Sequence, residues 1–314
     1  MLDDLHIAIV EAPDAPEPYL VYADWLQSQG DVHGEYIQLM HALEKETDST
    51  RFLLRKKRGD ALLAEHGERW LNQVKVYEPK WRWGFIRKVR VAASSLRALL
   101  DSRAGRFPRE LTLTGLSSAL HVAIDSVPLT VTGLRLEPTY RDEVVNLSVL
   151  PPALTRLALS PAKWELPAAM SPRLLELTLH APADDPSLLP FLKSPNSIHM
   201  LKVADLPLAE STVIDELTYP ALRRLSIASD LTDDTLEWLA KSPLLRQLES
   251  LTVGGPFTDL GLERALREFV RFSRVKELVF WGGVISKPLR VLAKKQLPQL
   301  LLLKEESGNL RLRL

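Results

Sequence analysis

"LTRLAL" (154–159), "LLELTL" (174–179), "LRRLSI" (222–227) and "LESLTV" (248–253) are the same pattern in four spellings: an apolar residue, two others, then apolar, any, apolar. "IHMLKV" (198–203) and "VKELVF" (275–280) repeat it, and looser copies extend it through "IRKVRV" (86–91), "PRELTL" (108–113), "VTGLRL" (131–136) and "LPQLLL" (297–302). The middle apolar residue marks each copy: Val89, Leu111, Leu134, Leu157, Leu177, Leu201, Leu225, Leu251, Leu278 and Leu300, at spacings of 20 to 27 positions. Recurrence at such a period is the signature of units that bury their apolar faces only by stacking. Alternation within each copy sends its last two apolar residues to one side of a short strand and the residues between and beside them to the other. The expectation is a ladder of parallel strands with one dry face and one wet face.

Motif and period together resemble the leucine-rich repeat. That resemblance implies an α/β fold, a solenoid of about ten parallel strands, whose arc is about 45 Å long at 4.7–4.9 Å per strand. One departure is visible. The position three residues after the last strand leucine, usually Asn or Cys in that family, holds Ala162, Pro182, Leu206, Asp230, Pro256 and Gly283, so irregular turns are expected. Early connections such as "SPAKWELPAAMSP" are too rich in proline for a full helix. Helices are expected instead in "LTDDTLEWLAKSP", with Thr232 or Asp233 as cap and Leu236, Leu239 and Ala240 facing inward, and in "FTDLGLERALREFVRF", with Leu262, Leu266, Phe269 and Val270.

About 80 residues of helical character precede the first copy. Leu20, Ala23 and Leu26 recur at helical spacing, Gly30 suits a left-handed helix end, and Asp31 suits the cap of a next helix carrying Ile37, Met40 and Leu43. A further helix follows in "TRFLLRKKRGDALLAEHGERWLNQV", with Leu54, Ala61 and Leu62 expected inside. The string "LVYADWLQSQGDVHGEYIQL", then "LLAEHGERWL" and "GFIRKVRV", resemble the repeat-companion domain, a bacterial module found beside leucine-rich and related repeats. This family brings no catalytic residues to carry over. The expected organisation is a helical companion domain over residues 1–80 acting as a lid on a repeat domain over 81–314, because the first strand of a stack exposes apolar core and unpaired backbone.

Forty Lys and Arg balance forty Asp and Glu, so no whole-molecule field gathers polyanions. The chain has no cysteine, which excludes disulfides, Cys-zinc clusters, iron–sulfur cofactors and thiol chemistry. Its start, "MLDDLHIAIVEAPDAP", is acidic where a secretion signal is basic, and no stretch reaches the roughly 20 apolar residues of a bilayer span. The reading is a cytoplasmic protein without membrane partners.

No catalytic signature is present: G-x-S-x-G, G-x-x-x-x-G-K-[ST] and G-x-G-x-x-G are all missing, and the seven histidines are scattered. The chain is not expected to be an enzyme or to need a cofactor. Asp24, Asp31, His33 and Glu35 form a conceivable metal set, but their spacing fits no ligand motif, and helix capping and solvation account for them. "RFLLRKKR" (51–58) puts Arg51, Arg55 and Arg58 on one helix face, and "WRWGFIRK" (81–88) interleaves Trp81, Trp83 and Phe85 with bases. Both suit nucleic-acid or polyanion binding, the alternative function. A solvated helix face and packing between lid and first strand are the competing explanations, and in a neutral chain nucleic acid is not the expected partner.

The leading reading is a non-enzymatic scaffold that binds another protein on its concave wet face. Wet-face positions include Lys88, Arg90, Glu110, Glu137 and Glu176, and the expected partner-binding residues are Arg135, Arg156, Lys202 and Arg224 with an apolar group of Val279, Trp281, Leu301 and Leu303. Such a patch marks a contact surface. Alternatively the tail "SGNLRLRL" covers it with Leu310, Leu312 and Leu314.

Overall fold

The computed structural model describes residues 2–147, 149–167, 171–180, 197–204, 219–228, 231–269 and 274–281, the positions 286, 288, 291 and 295, and the strand backbone at 301–303 and 310–313. It is a mixed α/β fold with mostly parallel strands, divided into two compact units: Met1–Thr139 with Pro151–Leu154, and Tyr140–Leu150 with Thr155–Leu314.

The first unit begins with helices α1 (Leu2–Glu11), α2 (Glu17–Ser28), α3 (Val32–Lys45) and α4 (Ser49–Trp70). Their ends follow from local chemistry. Gly30, at φ +73°, adopts the left-handed conformation that ends α2, and Asp31 caps α3 by accepting from the His33 amide at 3.0 Å. Asp48 caps α4 through the Arg51 amide at 2.8 Å. Gly34 sets how closely α2 and α3 approach, since a Cβ there would lie 2.4 Å from the Ala23 carbonyl oxygen. Tyr22, Ala23 and Leu26 of the YADWL string, with Tyr19 and Ile37, are buried in one cluster with Trp83, Phe85 and Phe107.

Two helix expectations need correction. Leu54 is 65% exposed and Ala61 is exposed, while Leu62 is buried. The inward stripe of α4 is Gly59, Leu62, Gly67 and Trp70, so two of its four positions are glycines that let neighbouring atoms approach. Met40 Cε occupies the space a side chain at position 59 would fill.

A strand unforeseen in the sequence follows. β1 (Val76–Arg82) turns through Trp83-Gly84, at φ +48° and +76°, into β2 (Phe85–Ala92) as an antiparallel hairpin. Two consecutive positive φ values suit a two-residue turn that matches strand twist. β1 pairs the outer edge of β2 and is itself a protected edge, carrying Pro79, Lys80 and a register shift between Tyr77 and Lys80. The helices latch onto β2 through the buried Arg87, which donates to Tyr19 Oη, to the Pro13 carbonyl at 2.7 Å and to Asp14 Oδ1 at 2.8 Å. Then come α5 (Leu96–Leu100), β3 (Glu110–Gly115), α6 (Ser117–Ile124) and β4 (Gly133–Pro138). β2, β3 and β4 are parallel, with Val89 opposite Leu111 and Leu111 opposite Leu134.

The second unit carries β5 (Val144–Asn146), β6 (Arg156–Leu159), β7 (Lys163–Glu165), β8 (Glu176–His180), β9 (Met200–Ala204), β10 (Arg224–Ala228), α7 (Asp233–Lys241), β11 (Ser250–Gly254), α8 (Asp259–Phe269), β12 (Glu277–Trp281), β13 (Leu301–Leu303) and β14 (Leu310–Arg313). β6, β8, β9, β10, β11 and β12 are parallel neighbours in that order, and their marker residues Leu157, Leu177, Leu201, Leu225, Leu251 and Leu278 face one another in unbroken register. The nine markers from Val89 to Leu278 are all at most 4% exposed. Within each unit the apolar row thus forms a core strip, at roughly 1.5–3 kcal/mol for each large side chain fully buried. The proline-rich connections carry β5 and β7, which pair in parallel, in place of helices. Both expected helices are present: Thr232 caps α7, and Leu236, Leu239, Ala240, Leu262 and Leu266 are buried. The side chain of Phe269, and Val270 entirely, lie outside the described residues.

At the far edge the expected tenth strand, β13, runs in the direction of the ladder but does not pair with β12, because β14 lies between them. β14 pairs antiparallel with β12, and β13 pairs antiparallel with β14. Only residues 304–309 separate β13 from β14, too few for a parallel crossover, which needs a dozen or more. The tail therefore meets the ladder edge-on and supplies partners to the open backbone of β12.

Candidate partner-binding surface

On the wet face of the first unit the charges answer one another. Lys88 Nζ lies 3.0 Å from Glu110 Oε2, directly opposite it in register. Arg90 reaches past β3 to Glu137 at 2.8 Å, and Arg135, one of the expected binding residues, lies 3.9 Å from the same carboxylate. In the second unit Arg156 stands opposite Glu176.

Across β9 to β12 the face instead holds a groove of about 730 Å³, lined by Met200, Lys202, Arg224, Ser226, Glu249, Ser250, Thr252, Lys276 and Glu277, with Leu225 beneath. The groove brings together two of the expected residues, Lys202 and Arg224. In register Arg224 faces Met200 and Ser226 faces Lys202, so the two cations are diagonal neighbours. Both are exposed. Along the rim Lys276 Nζ pairs with Glu249 at 2.8 Å, and the Ser250 hydroxyl donates to Glu277 Oε2 at 3.1 Å. The hydrogen bond and charge of Lys276, with smaller contributions from Arg223 and Arg224, hold the Glu249 carboxyl below the usual carboxylate range. Glu249 and Lys276 were not legible as site residues, because they precede the alternating part of each motif. Ser250, Thr252 and Glu277 follow from alternation alone.

Val279 is half-buried on this face, between Thr252 of β11 and Arg311 of β14 in the ladder. Arg311 in turn faces Leu303, and Arg313 lies between Glu277 and Leu301, so β14 separates Val279 from Leu301 and Leu303 along the backbone. The side chains of Trp281, Leu301 and Leu303, and those of the tail expected to cover them, lie outside the described residues.

The remaining sequence candidates lie elsewhere. Asp24 accepts from Gln38 Nε2 at 2.6 Å, Asp31 caps α3 and pairs with Arg103, and Glu35 pairs with Arg58. His33 is fully buried, its ring centroid 4.5 Å from that of Trp70, with Nε2 2.8 Å from the Gly84 carbonyl. Among the described residues no group of three or more His, Cys, Asp or Glu is arranged to hold a metal ion. Arg55 pairs with Glu46 at 2.6 Å, as Arg58 does with Glu35, which leaves Arg51 as the member of that trio without an ion pair among the described residues. Trp83 and Phe85 are core side chains, 3% and 0% exposed, and half-buried Trp81 meets Tyr36 edge-on. Trp83 and Phe85 are packed in the core with the helices and are not presented to a nucleic-acid base. Among the described residues no helix is long and apolar enough to cross a membrane. No family model matches the chain, and no curated protein matches it.

Proposed function

We propose that the chain is a non-enzymatic recognition scaffold of the leucine-rich-repeat kind, a solenoid with a repeat-companion lid, working in the cytoplasm and binding another protein on the wet face of its strands. The observation that carries the reading is the groove across β9 to β12, where a regular ladder built on buried leucines presents charged and hydroxyl side chains around a concavity. Its volume lies within the roughly 300–1,000 Å³ range of preformed ligand sites. The internal pairing of Lys88, Arg90 and Arg135 with Glu110 and Glu137 turns the first unit's strand face toward self-neutralisation and leaves the groove as the best place for a partner.

Site-specific photo-crosslinking tests this. A benzophenone amino acid at Ser226, inside the groove, is expected to capture a discrete partner in an extract of the native host. The same probe at Leu260, an exposed position on α8, is not. Equal capture from both positions, or capture from Leu260 alone, contradicts the proposal.

A further inference from the structure

The groove holds an imbalance that points to the chemistry of its occupant. Lys276 is answered by Glu249, and Glu277 by the Ser250 hydroxyl. Among the described residues Lys202 and Arg224 make no hydrogen bond or ion pair, and the carboxylate whose field reaches Arg224, that of Glu249, is already engaged by Lys276. As diagonal neighbours on a sheet face the two cations are roughly 7–8 Å apart at their backbones, close enough for two long side chains to converge on one anion. Ser226 and Thr252 lie on the same face beside them and supply hydroxyls, while Met200 adds apolar surface.

We infer that this groove takes a short acidic segment of the partner protein, seating an Asp or Glu carboxylate between Lys202 Nζ and the Arg224 guanidinium. The inference rests on the reading of the strand face as the binding surface. A carboxylate fits better than a nucleic-acid backbone for two reasons. Glu249 and Glu277 line the same groove and repel a continuous run of phosphates, and among the described residues the lining sets three cations against two anions and holds no aromatic side chain to stack a base. A charge-assisted contact to both cations provides orientation, and the hydroxyls and Met200 contact the flanking residues of the segment.

The full-length chain is used to select from a displayed library of random linear peptides, beside Lys202→Glu/Arg224→Glu and Ser226→Trp, the latter filling the groove without changing its charge. Both cations are exposed, so the melting temperature of the double variant should match that of the wild type. The inference expects enrichment of Asp- or Glu-containing peptides, binding about tenfold or more weaker to the double variant, whose own selection turns to Lys- or Arg-containing peptides. Neutral or basic peptides that bind wild type and double variant equally, yet are lost with Ser226→Trp, overturn the acidic specificity and leave the binding surface standing. Tighter binding of a single-stranded oligonucleotide than of the selected peptides at physiological salt overturns it too. If no peptide is enriched, or none responds to Ser226→Trp, both the inference and the binding surface fall.

Discussion

His33 makes the stability of the helical segment depend on pH in a way that can be worked out in advance. Its Nε2 lies 2.8 Å from the Gly84 carbonyl oxygen, which only accepts, so Nε2 carries the proton and donates. Nδ1 is buried with no hydrogen-bond partner, and a second proton there would be an unpaired donor in an aromatic pocket. Burial accordingly pushes the imidazole down to about 4, only partly opposed by the bond to Gly84. The unfolded chain titrates near 6.5 and therefore binds the proton more readily than the folded one throughout the interval between those values. Stability is unaffected by this group above about pH 7, falls as pH drops through 6.5, and reaches its full loss below 4. The loss attributable to His33 is about 2 kcal/mol at pH 5 and about 3 kcal/mol below pH 4. His33→Gln keeps a donor for Gly84 and removes the titration. Its stability at pH 7 should be lower, by about 1–3 kcal/mol, because the amide fits the pocket less well. Between pH 7 and pH 5, however, urea denaturation should show the wild type losing about 2 kcal/mol more than the variant. Carboxylates that titrate in the same range cancel in that difference. Identical losses in the two chains would refute the reasoning.

Gly34→Ala should destabilise by about 1–3 kcal/mol despite the better helix propensity of alanine, since its Cβ would meet the Ala23 carbonyl at 2.4 Å. Gly67→Ala, where the new methyl meets only the flexible Leu63 side chain, should be close to neutral in the same thermal melt. Asp233 ties the start of α7 to that of α8 by accepting from the Thr258 amide at 2.9 Å and from the Thr258 hydroxyl, so Asp233→Ala should cost about 1–2 kcal/mol in urea denaturation. A chain beginning at Trp81 loses α1 to α4 and most of β1, which uncovers Phe85 and the outer edge of β2. Light scattering should find it aggregated, and a monomer with the thermal transition of the whole chain would contradict the capping role.

The ladder was legible because alternation has a period of two, so each marker leucine announces both its strand and its face, and neighbouring copies had to align to bury them. The features that stayed hidden depend on contacts made at a distance. β1 reads as loop because an exposed edge strand needs no apolar alternation, and Pro79 argues against any strand except an edge. The inward stripe of α4 was obscured because glycines at 59 and 67 serve by leaving space. The separation of β13 from β12 follows from the placement of β14 between them, a pairing between edge and tail that no local pattern encodes. At the candidate site, alternation placed Lys202 and Arg224 on the wet face. It could not distinguish them from Arg90 and Arg135, whose carboxylate partner Glu137 is found only once three strands are laid side by side.

The claim that the wet face of β9 to β12 is the binding surface is tested most directly by calorimetric titration of the photo-captured partner into three full-length chains: wild type, Ser226→Trp and Leu260→Trp. Ser226→Trp should abolish binding with the melting temperature unchanged, and Leu260→Trp should bind as the wild type does. Full affinity in Ser226→Trp, or its loss in Leu260→Trp, would place the interaction elsewhere on the molecule and contradict the claim.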